Sequence, residues 1–380
     1  MLFSEIPGAD EIKERLRANV QANRISHALM FSGAEGSGNL AIARAFVQYL
    51  FCKERSETDS CGQCSNCIKI GKLSHPDVHW VYPVANTAEV KSKAKSDDFA
   101  SNWRNLLTHN PFLTYTDWVE ELEIENKQAQ IGVEESGEIL RKLSLKAYEG
   151  GFRVAVIWLP EKMNISASNK LLKVLEEPPE GVVFILVPES TDAILPTILS
   201  RVQFVKISAP SNDEMVNYLL FMPGISHEKA LESATLADGN LNKALKLANS
   251  EEADPHYATF MAWMRGCYAP NVPELLAWIE IMAKSGRENQ KTFLTYSIEA
   301  TRKFLLMNFR INDLVMLSNA EQSLDPKFIN FFPSKIHGGN CMRIVELISD
   351  AQYHIERNGN AKIVLIDTSL KISEQLKMTV

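Results

Sequence analysis

Long apolar runs are missing from this chain of 380 residues. A helix that crosses a bilayer needs about 20 mostly apolar residues in succession, and no stretch of the sequence approaches that length. The N-terminus, Met1-Leu2-Phe3-Ser4-Glu5, also lacks the basic segment and the apolar core of a secretory signal. Both absences argue against a membrane protein, so we expect a cytoplasmic protein with no membrane partner.

An excess of positive charge is missing as well. The formal net charge is −7, from 40 lysines and arginines against 47 aspartates and glutamates. Proteins that bind nucleic acid over a broad surface carry clustered positive charge, so this balance argues against such a surface. Contact with DNA through a local patch, or as one member of a complex, remains open.

The overall composition and the length of the chain are those of a folded, multidomain protein. Hydrophobic residues make up 45% and charged residues 23% of the chain, which are ordinary globular values, and the length predicts two or three domains. Residues 1–207 alternate strand-like and helical segments, residues 208–253 form a small helical unit, and residues 254–380 form a larger all-α unit. Residues 83–130 fit the alternation poorly and are interpreted as an insertion with one or two amphipathic helices.

The strand-like segments of the first part are apolar on both faces. Residues 153–159 and 182–187 are nearly continuous apolar runs, which are typical of strands in a parallel sheet covered by helices on both sides. A helix is predicted between them over residues 167–177, ended by Pro178 and Pro179. The pattern predicts an α/β fold with a doubly wound parallel sheet.

Cysteine is scarce but clustered, since four of the six cysteines lie within residues 52–67. Cys52, Cys61, Cys64 and Cys67 include two short C-x-x-C spacings, which present thiolates to one tetrahedral centre. In a reducing compartment such a cluster indicates metal ligands rather than disulfides. We predict a structural zinc ion. A redox pair and an iron–sulfur cluster are the alternatives, whereas a catalytic zinc would need an open coordination position.

A glycine-rich turn follows the first apolar strand and precedes a helix. Gly33, Gly36, Gly38, Asn39 and Leu40 match the phosphate-binding pattern G-x-x-x-x-G-K-[ST] except in the last two places. That loop cradles phosphates with backbone N–H groups, while its Lys reaches the phosphates and its hydroxyl binds Mg²⁺. Asn39 and Leu40 supply neither function. We expect no bound ATP or ADP and no hydrolysis; a glycine turn that never bound phosphate is the alternative.

The acidic residues of such sites are also missing. Phosphate-hydrolysing proteins of this type hold Mg²⁺ with carboxylates at the end of an apolar strand, but here Trp158 and Leu159 occupy those positions, and only Glu161 nearby is acidic. Two independent losses of the same chemistry argue against an ATPase.

Four motifs carry a resemblance to a known family: RISHA at 24–28, EKMN at 161–164, SNKLLKVLEEPP at 168–179 and ILPTILSR at 194–201. With them, the chain resembles the bacterial clamp-loader ATPases, which are AAA+ proteins of the P-loop type. The resemblance covers about the first 250 residues well and the last part more weakly, through residues 357–362. It implies an AAA+ domain with a zinc module at 52–67, a helical lid and a helical collar domain that mediates oligomerisation.

The resemblance also implies a function. Clamp loaders of DNA polymerase III are five-subunit assemblies that open a sliding clamp and place it on primed DNA, so the implied partners are gamma/tau and delta subunits, the clamp and the DNA. Ser200 and Arg201 match the family's Ser-Arg-Cys motif, with Val202 in place of Cys, and that Arg acts as a finger on a neighbour's nucleotide. A surface Arg that caps a helix is the alternative reading of Arg201.

Within the family, the loop defects point to the subunit class whose own site is often inactive, rather than to gamma/tau, which keeps its Lys and Thr. Asn242 stands where the lid's nucleotide-binding Arg would be. The chain is therefore not expected to be an enzyme itself, although it would belong with a DNA-directed DNA polymerase. An active gamma/tau-like ATPase with an unusual loop, or a zinc-dependent DNA-binding or regulatory AAA+ protein, are the alternatives.

Overall fold

The computed structural model describes residues 1–124, 127–149, 151–250, 255–269, 271–311, 321 and 324–378. The chain divides into two compact units, Met1–Ala248 and Asn249–Val380. The first unit contains both the predicted α/β domain and nearly all of the predicted lid. The second unit contains the predicted all-α part. The finer division at residues 207 and 253 stays a prediction.

A five-stranded parallel sheet forms the centre of the first unit. Its strands, in chain order, are β1 Ala28–Ser32, β2 Val78–Val81, β3 Arg153–Trp158, β4 Val182–Val187 and β5 Gln203–Lys206. They lie in the order β2-β3-β4-β1-β5, and every neighbouring pair is parallel. The carboxyl ends of all five strands therefore meet at one edge, where ligands of open α/β sheets bind. The predicted α/β fold with a doubly wound parallel sheet is confirmed.

Helices cover the sheet and continue into the lid. The helices of the first unit are α1 Asp10–Gln21, α2 Asn39–Phe51, α3 Ser65–Gly71, α4 Ala100–His109, α5 Tyr115–Glu121, α6 Val133–Ser144, α7 Ile165–Glu176, α8 Pro196–Leu199, α9 Asn212–Leu220, α10 His227–Ala237 and α11 Leu241–Asn249. Strand β4 is buried along its whole length because helices lie on both faces. The strand predicted over 153–159 ends one residue early, since Leu159 adopts left-handed backbone angles (φ 55°).

The insertion forms a small substructure whose aromatic rings join the hydrophobic core of the first unit. Its two ends are joined by an antiparallel bridge between Val84 and Gln130, with N···O distances of 3.1 and 3.0 Å. Inside it, the Trp103 ring stacks on Tyr82 at 4.2 Å and meets Trp118 edge-on at 5.3 Å. The second helix of the insertion begins at Tyr115, where Thr114 caps its first turn.

The second unit is helical in all of its described residues that have regular structure. Its helices are α12 Pro255–Tyr268, α13 Val272–Lys284, α14 Arg287–Asn308, α15 Pro326–Phe331, α16 Cys341–Glu356 and α17 Ala361–Leu376. Helix α16 turns one apolar face to the core of this unit, since Ile344, Leu347, Ile348 and Ile355 are all buried. Among the described helices, none combines the length and apolar character that a membrane span requires.

Candidate functional site

The glycine-rich loop, residues 33–40, lies at the carboxyl edge of the sheet between β1 and α2. Gly36 and Gly38 have positive φ angles of 71° and 90°, which only glycine adopts readily. A Cβ on Gly33 would lie 2.6 Å from the backbone oxygen of Ile207 and 2.5 Å from Oδ1 of Asn39. The loop therefore has the tight, glycine-dependent shape of a phosphate cradle.

The side chain of Asn39 closes this loop on itself. Its Nδ2 donates to the carbonyl oxygen of Gly33 at 2.9 Å, and its Oδ1 lies 2.9 Å from the hydroxyl of Ser37. That hydroxyl also donates to the carbonyl of Ala34 at 2.6 Å. Asn39 is buried, so its amide is used to hold the loop and contributes no charge that would neutralise a phosphate.

The positions where carboxylates were expected are part of the hydrophobic core. Trp158 and Leu159 are both buried, and the Trp158 ring packs against Trp103 of the insertion with centroids 5.1 Å apart. Glu161, the nearby acid, accepts hydrogen bonds at Oε1 from the backbone N–H groups of Glu189 (2.9 Å) and Ser190 (3.3 Å). Glu161 thus holds the turn after β4.

Little room remains beside the loop. The cavity there has a volume of about 20 Å³ and is enclosed by loop residues, by the turn after β4 and by the insertion residues Pro111, Phe112 and Leu113. A volume of this size holds about one water molecule. The nucleotide that the fold class implies does not fit the residues present.

Asn242, at the position of the lid's missing Arg, is also engaged within the protein. It is buried; its Oδ1 accepts from Nδ2 of Asn110 at 2.8 Å and its Nδ2 donates to Oδ2 of Asp117 at 2.7 Å. Both partners belong to the insertion. The hydrogen-bonding atoms of this lid position therefore face protein groups.

The carboxyl group of Glu189 lies at the same edge of the sheet. The residue is partly exposed, but its carboxyl group is enclosed, and this burial, followed by the charges of Glu35 and Glu161, raises its pKa to about 8. Lys162 and the backbone N–H of Tyr115 oppose the shift. Glu189 is therefore protonated at neutral pH.

Arg201 lies away from this loop, just beyond the end of α8. Its Nη1 donates to the carbonyl of Thr197 and to the hydroxyl of Ser200, both at 3.0 Å, and its Nη2 lies 2.7 Å from Oε1 of Glu176. About a third of the Arg201 side chain is exposed (34%). In the isolated chain the guanidinium thus binds a helix-end carbonyl and an exposed carboxylate, and one face of it reaches solvent.

The four clustered cysteines converge on one point. Their sulfur atoms all lie within 4.8 Å of one another, and the Cys61 sulfur lies 3.5 Å from that of Cys52 and 3.9 Å from that of Cys67. Four sulfurs bound tetrahedrally at 2.3 Å from zinc would be about 3.8 Å apart. The group is therefore compatible with a structural zinc ion.

Backbone N–H groups donate to two of these sulfurs. The N–H groups of Cys61 and Cys64 donate to the sulfurs of Cys52 and Cys61, each at 3.3 Å. Burial alone raises the pKa of Cys64, but hydrogen bonds from the backbone of Cys67 and Lys53 outweigh it and lower that pKa to about 6. Thiolate is the form that binds metal.

The residues of the insertion that reach the loop are not predicted from the sequence. Phe112, Asn110 and Asp117 all contact the loop or the lid. One signal was present in the sequence: the apolar pair Trp158-Leu159 at a normally acidic position calls for apolar partners, and the insertion is rich in aromatic residues.

Comparison with known proteins shows the family to which this chain belongs. The profile of the family described as DNA polymerase III, delta subunit, matches residues 8–211, more than half of the chain. The chain belongs to this family. It is 26% identical over 234 residues to DNA polymerase III subunit delta′ of Escherichia coli K12, which covers 62% of this chain and 58% of that protein.

Two further relatives agree with this membership. Subunit delta′ of Bacillus subtilis is 25% identical over 241 residues, covering 63% of this chain and 59% of the relative. Subunit tau/gamma of Haemophilus influenzae is 26% identical over 252 residues, covering 66% of this chain and 29% of the relative. The matches thus span about three fifths of the two delta-prime proteins. The delta-prime assignment within the bacterial clamp-loader AAA+ family is confirmed.

The raised pKa of Glu189 makes the stability of this delta-prime family member dependent on pH. The folded state binds the proton more tightly than the unfolded state, whose pKa is near the ordinary 4.5. The stabilisation is therefore full below that value and is lost as the pH rises to about 8. At pH values above 8, the melting temperature of Glu189→Gln should exceed that of the wild type by about 2–4 °C. This difference corresponds to roughly 1 kcal/mol in a unit of this size.

The measurement is thermal unfolding of both proteins over a series of pH values. The melting temperatures should converge toward pH 4.5 and separate as the pH rises. Glu177→Gln, at an exposed position, serves as the matched control and should follow the wild-type curve. A constant difference between Glu189→Gln and wild type at every pH would contradict the assigned proton.

Proposed function

We propose that this chain is an ATPase-inactive, delta-prime-like clamp-loader subunit that supplies Arg201 to a nucleotide held by a neighbouring subunit. In this proposal it assembles with gamma/tau and delta subunits and helps to load the sliding clamp onto primed DNA. The observation that carries it is a contrast: Asn39, Trp158 and Asn242 are engaged inside the protein, while Arg201 reaches the surface.

The chemistry of Arg201 suits action in trans. A guanidinium presents a planar fork of N–H donors that binds carboxylates and phosphates in the same geometry. In the isolated chain that fork binds Glu176, whose side chain is half exposed. An exposed ion pair contributes only about 0–1 kcal/mol, so exchange of this carboxylate for a neighbour's phosphate costs little. Ser200 accepts from the guanidinium and orients it.

DNA would be reached through the assembled complex. The net charge of −7 predicts weak binding of the lone chain to duplex DNA, because non-specific affinity comes from neutralised phosphates. The relatives named delta′ and tau/gamma support a partner surface formed by other clamp-loader subunits. Delta, the clamp and primed DNA are part of the same proposal.

Zinc is proposed as a resident structural ion. Cys52, Cys61, Cys64 and Cys67 would hold it, and with all four positions filled it would cross-link a short excursion of the chain and add to folding stability. The module is also fixed by protein contacts: Asn66 donates to the carbonyl of Phe51 at 2.9 Å.

Arg201→Ala should lower the DNA-stimulated ATPase rate of a complex reconstituted with gamma/tau, delta, the clamp and primed DNA by roughly tenfold or more, since fingers of this kind contribute large factors to phosphoryl transfer. Steady-state phosphate release measures it. The isolated variant should keep the wild-type melting temperature within about 1 °C, because only an exposed ion pair is lost.

The matched control is Arg141→Ala, which removes another exposed arginine paired with a glutamate, Glu138, on the same unit. That complex should turn over ATP at the wild-type rate. Wild-type turnover by the Arg201→Ala complex, with normal assembly by gel filtration, would refute the finger role.

The isolated chain should release phosphate from ATP no faster than heat-inactivated protein. Asn39→Lys combined with Leu40→Thr should not change this result, because Trp158 and Leu159 still occupy the acid positions and are buried. Turnover assays on both purified proteins provide the measurement. Brisk hydrolysis by the wild-type chain would favour the active gamma/tau-like alternative.

Elemental analysis should find one zinc per chain, with loss of the metal and a lower melting temperature after Cys64→Ser with Cys67→Ser. Cys341→Ser, which removes a cysteine of the second unit outside the cluster, should retain the zinc. Iron and sulfide in place of zinc would select the iron–sulfur alternative, and a metal-free protein of full stability would remove the zinc proposal.

A further inference from the structure

The insertion lies where a nucleotide would bind. A Cβ placed on Gly38 would lie 3.6 Å from Cε1 of Phe112 and 3.7 Å from Cδ1 of Leu241 in the lid. Gly38 caps the N-terminus of α2, which is the end of a helix that attracts phosphate. Phe112 is buried, so its ring covers this helix end with apolar surface.

Two of the altered nucleotide positions, Trp158 and Asn242, contact the insertion. Trp158 packs on Trp103 at 5.1 Å, and Asn242 binds Asn110. At the turn after β4, the carboxyl group of Glu189 accepts from the backbone N–H of Tyr115. Trp158 and Asn242, which stand where nucleotide-binding side chains are expected, therefore form part of the surface that the insertion contacts.

A buried carboxylate joins the insertion to the lid. Asp117 accepts at Oδ2 from the backbone N–H of Thr114 (2.7 Å), from its hydroxyl (2.9 Å) and from Nδ2 of Asn242 (2.7 Å). Its Oδ1 lies 2.5 Å from Nζ of Lys246 on α11. Removing one partner of a buried, fully bonded carboxylate is strongly unfavourable, so this network holds α11 against the insertion.

The lid also binds the loop directly. The N–H of Leu241 donates to the carbonyl of Gly36 at 2.8 Å, and a Cβ on Gly36 would lie 2.0 Å from Oδ1 of Asn240. The first turn of α11 is thus pressed against the loop with no gap. Contacts with the insertion on one side and with the loop on the other therefore hold α11 in place.

We propose that residues 110–118, the plug, are a built-in occupant of the nucleotide site that fixes the sheet and the lid in one conformation without ATP or ADP. The plug takes the place of the ligand: Phe112 covers the phosphate-binding helix end, and Asn110 and Asp117 take the lid position that would hold nucleotide. This inference does not depend on Arg201, because none of the plug contacts involves that residue.

Hydrogen exchange of the full-length chain, followed by mass spectrometry, tests the plug. Asn242→Ala removes the hydrogen bonds to Asn110 and Asp117, and exchange in α11 should rise roughly tenfold or more while exchange in β3 and β4 stays unchanged. Asn110→Ala, made in the plug itself, should raise exchange in the same helix. In the double variant, the fold increase in the exchange rate of α11 should be smaller than the product of the two single increases, because both substitutions remove the same contact.

Lys91→Ala, at an exposed position elsewhere in the insertion, is the matched control and should leave α11 unchanged. Millimolar Mg-ATP should not alter exchange anywhere in the wild-type chain. Slower exchange of the loop or of α11 with Mg-ATP would overturn the proposal, as would wild-type exchange of α11 in both single variants. If Asn242→Ala does not fold, Asn110→Ala alone still tests the proposal, because its position is partly exposed. Faster exchange of α11 in that variant supports the plug, and wild-type exchange of α11 overturns it.

Discussion

An open parallel sheet leaves a concave edge at the carboxyl ends of its strands, and the rest of the first unit depends on how that edge is filled. The N-terminus of α2 ends there with unsatisfied backbone donors, and the glycines of the loop leave space for a ligand. In this chain the space is taken by the amide of Asn39, by the ring of Phe112 and by the first turn of α11. Protein groups therefore complete a site that the fold class builds for a nucleotide.

Three charged groups of the first unit differ in their burial and in their partners. Asp117 is buried and accepts three hydrogen bonds beside the Lys246 ammonium; at Glu189, burial and the charges of Glu35 and Glu161 raise the pKa of the carboxyl group to about 8. Arg201 is exposed and paired with one exposed carboxylate. The first two groups serve internal structure, whereas the third is weakly held and remains free to exchange partners.

The sequence was sufficient for the parts of the fold that local periodicity determines. The apolar runs of β3 and β4 and the glycine turn before α2 were predicted within one or two residues, and the spacing of the cysteines predicted a convergence that the sulfur distances fit. Strand β2 was missed because its four residues are too few for a pattern. The plug was missed for another reason: Asn110 and Asn242 are 132 positions apart, and no local pattern encodes a contact of that separation.

A subunit whose lid is held by its own plug has a different place in an assembly from one whose lid responds to nucleotide. A ligand shifts a conformational equilibrium only through a difference in its affinity for the two states, and a site already filled by residues 110–118 offers ATP no such difference. On the proposed function, any response of a complex to ATP would arise in its other subunits, and this chain would present Arg201 from a constant geometry. In the proposed reading, the residues at Asn39, Trp158 and Asn242 therefore have two consequences: they remove the groups that hydrolysis needs, and they fix the lid against the loop and the insertion.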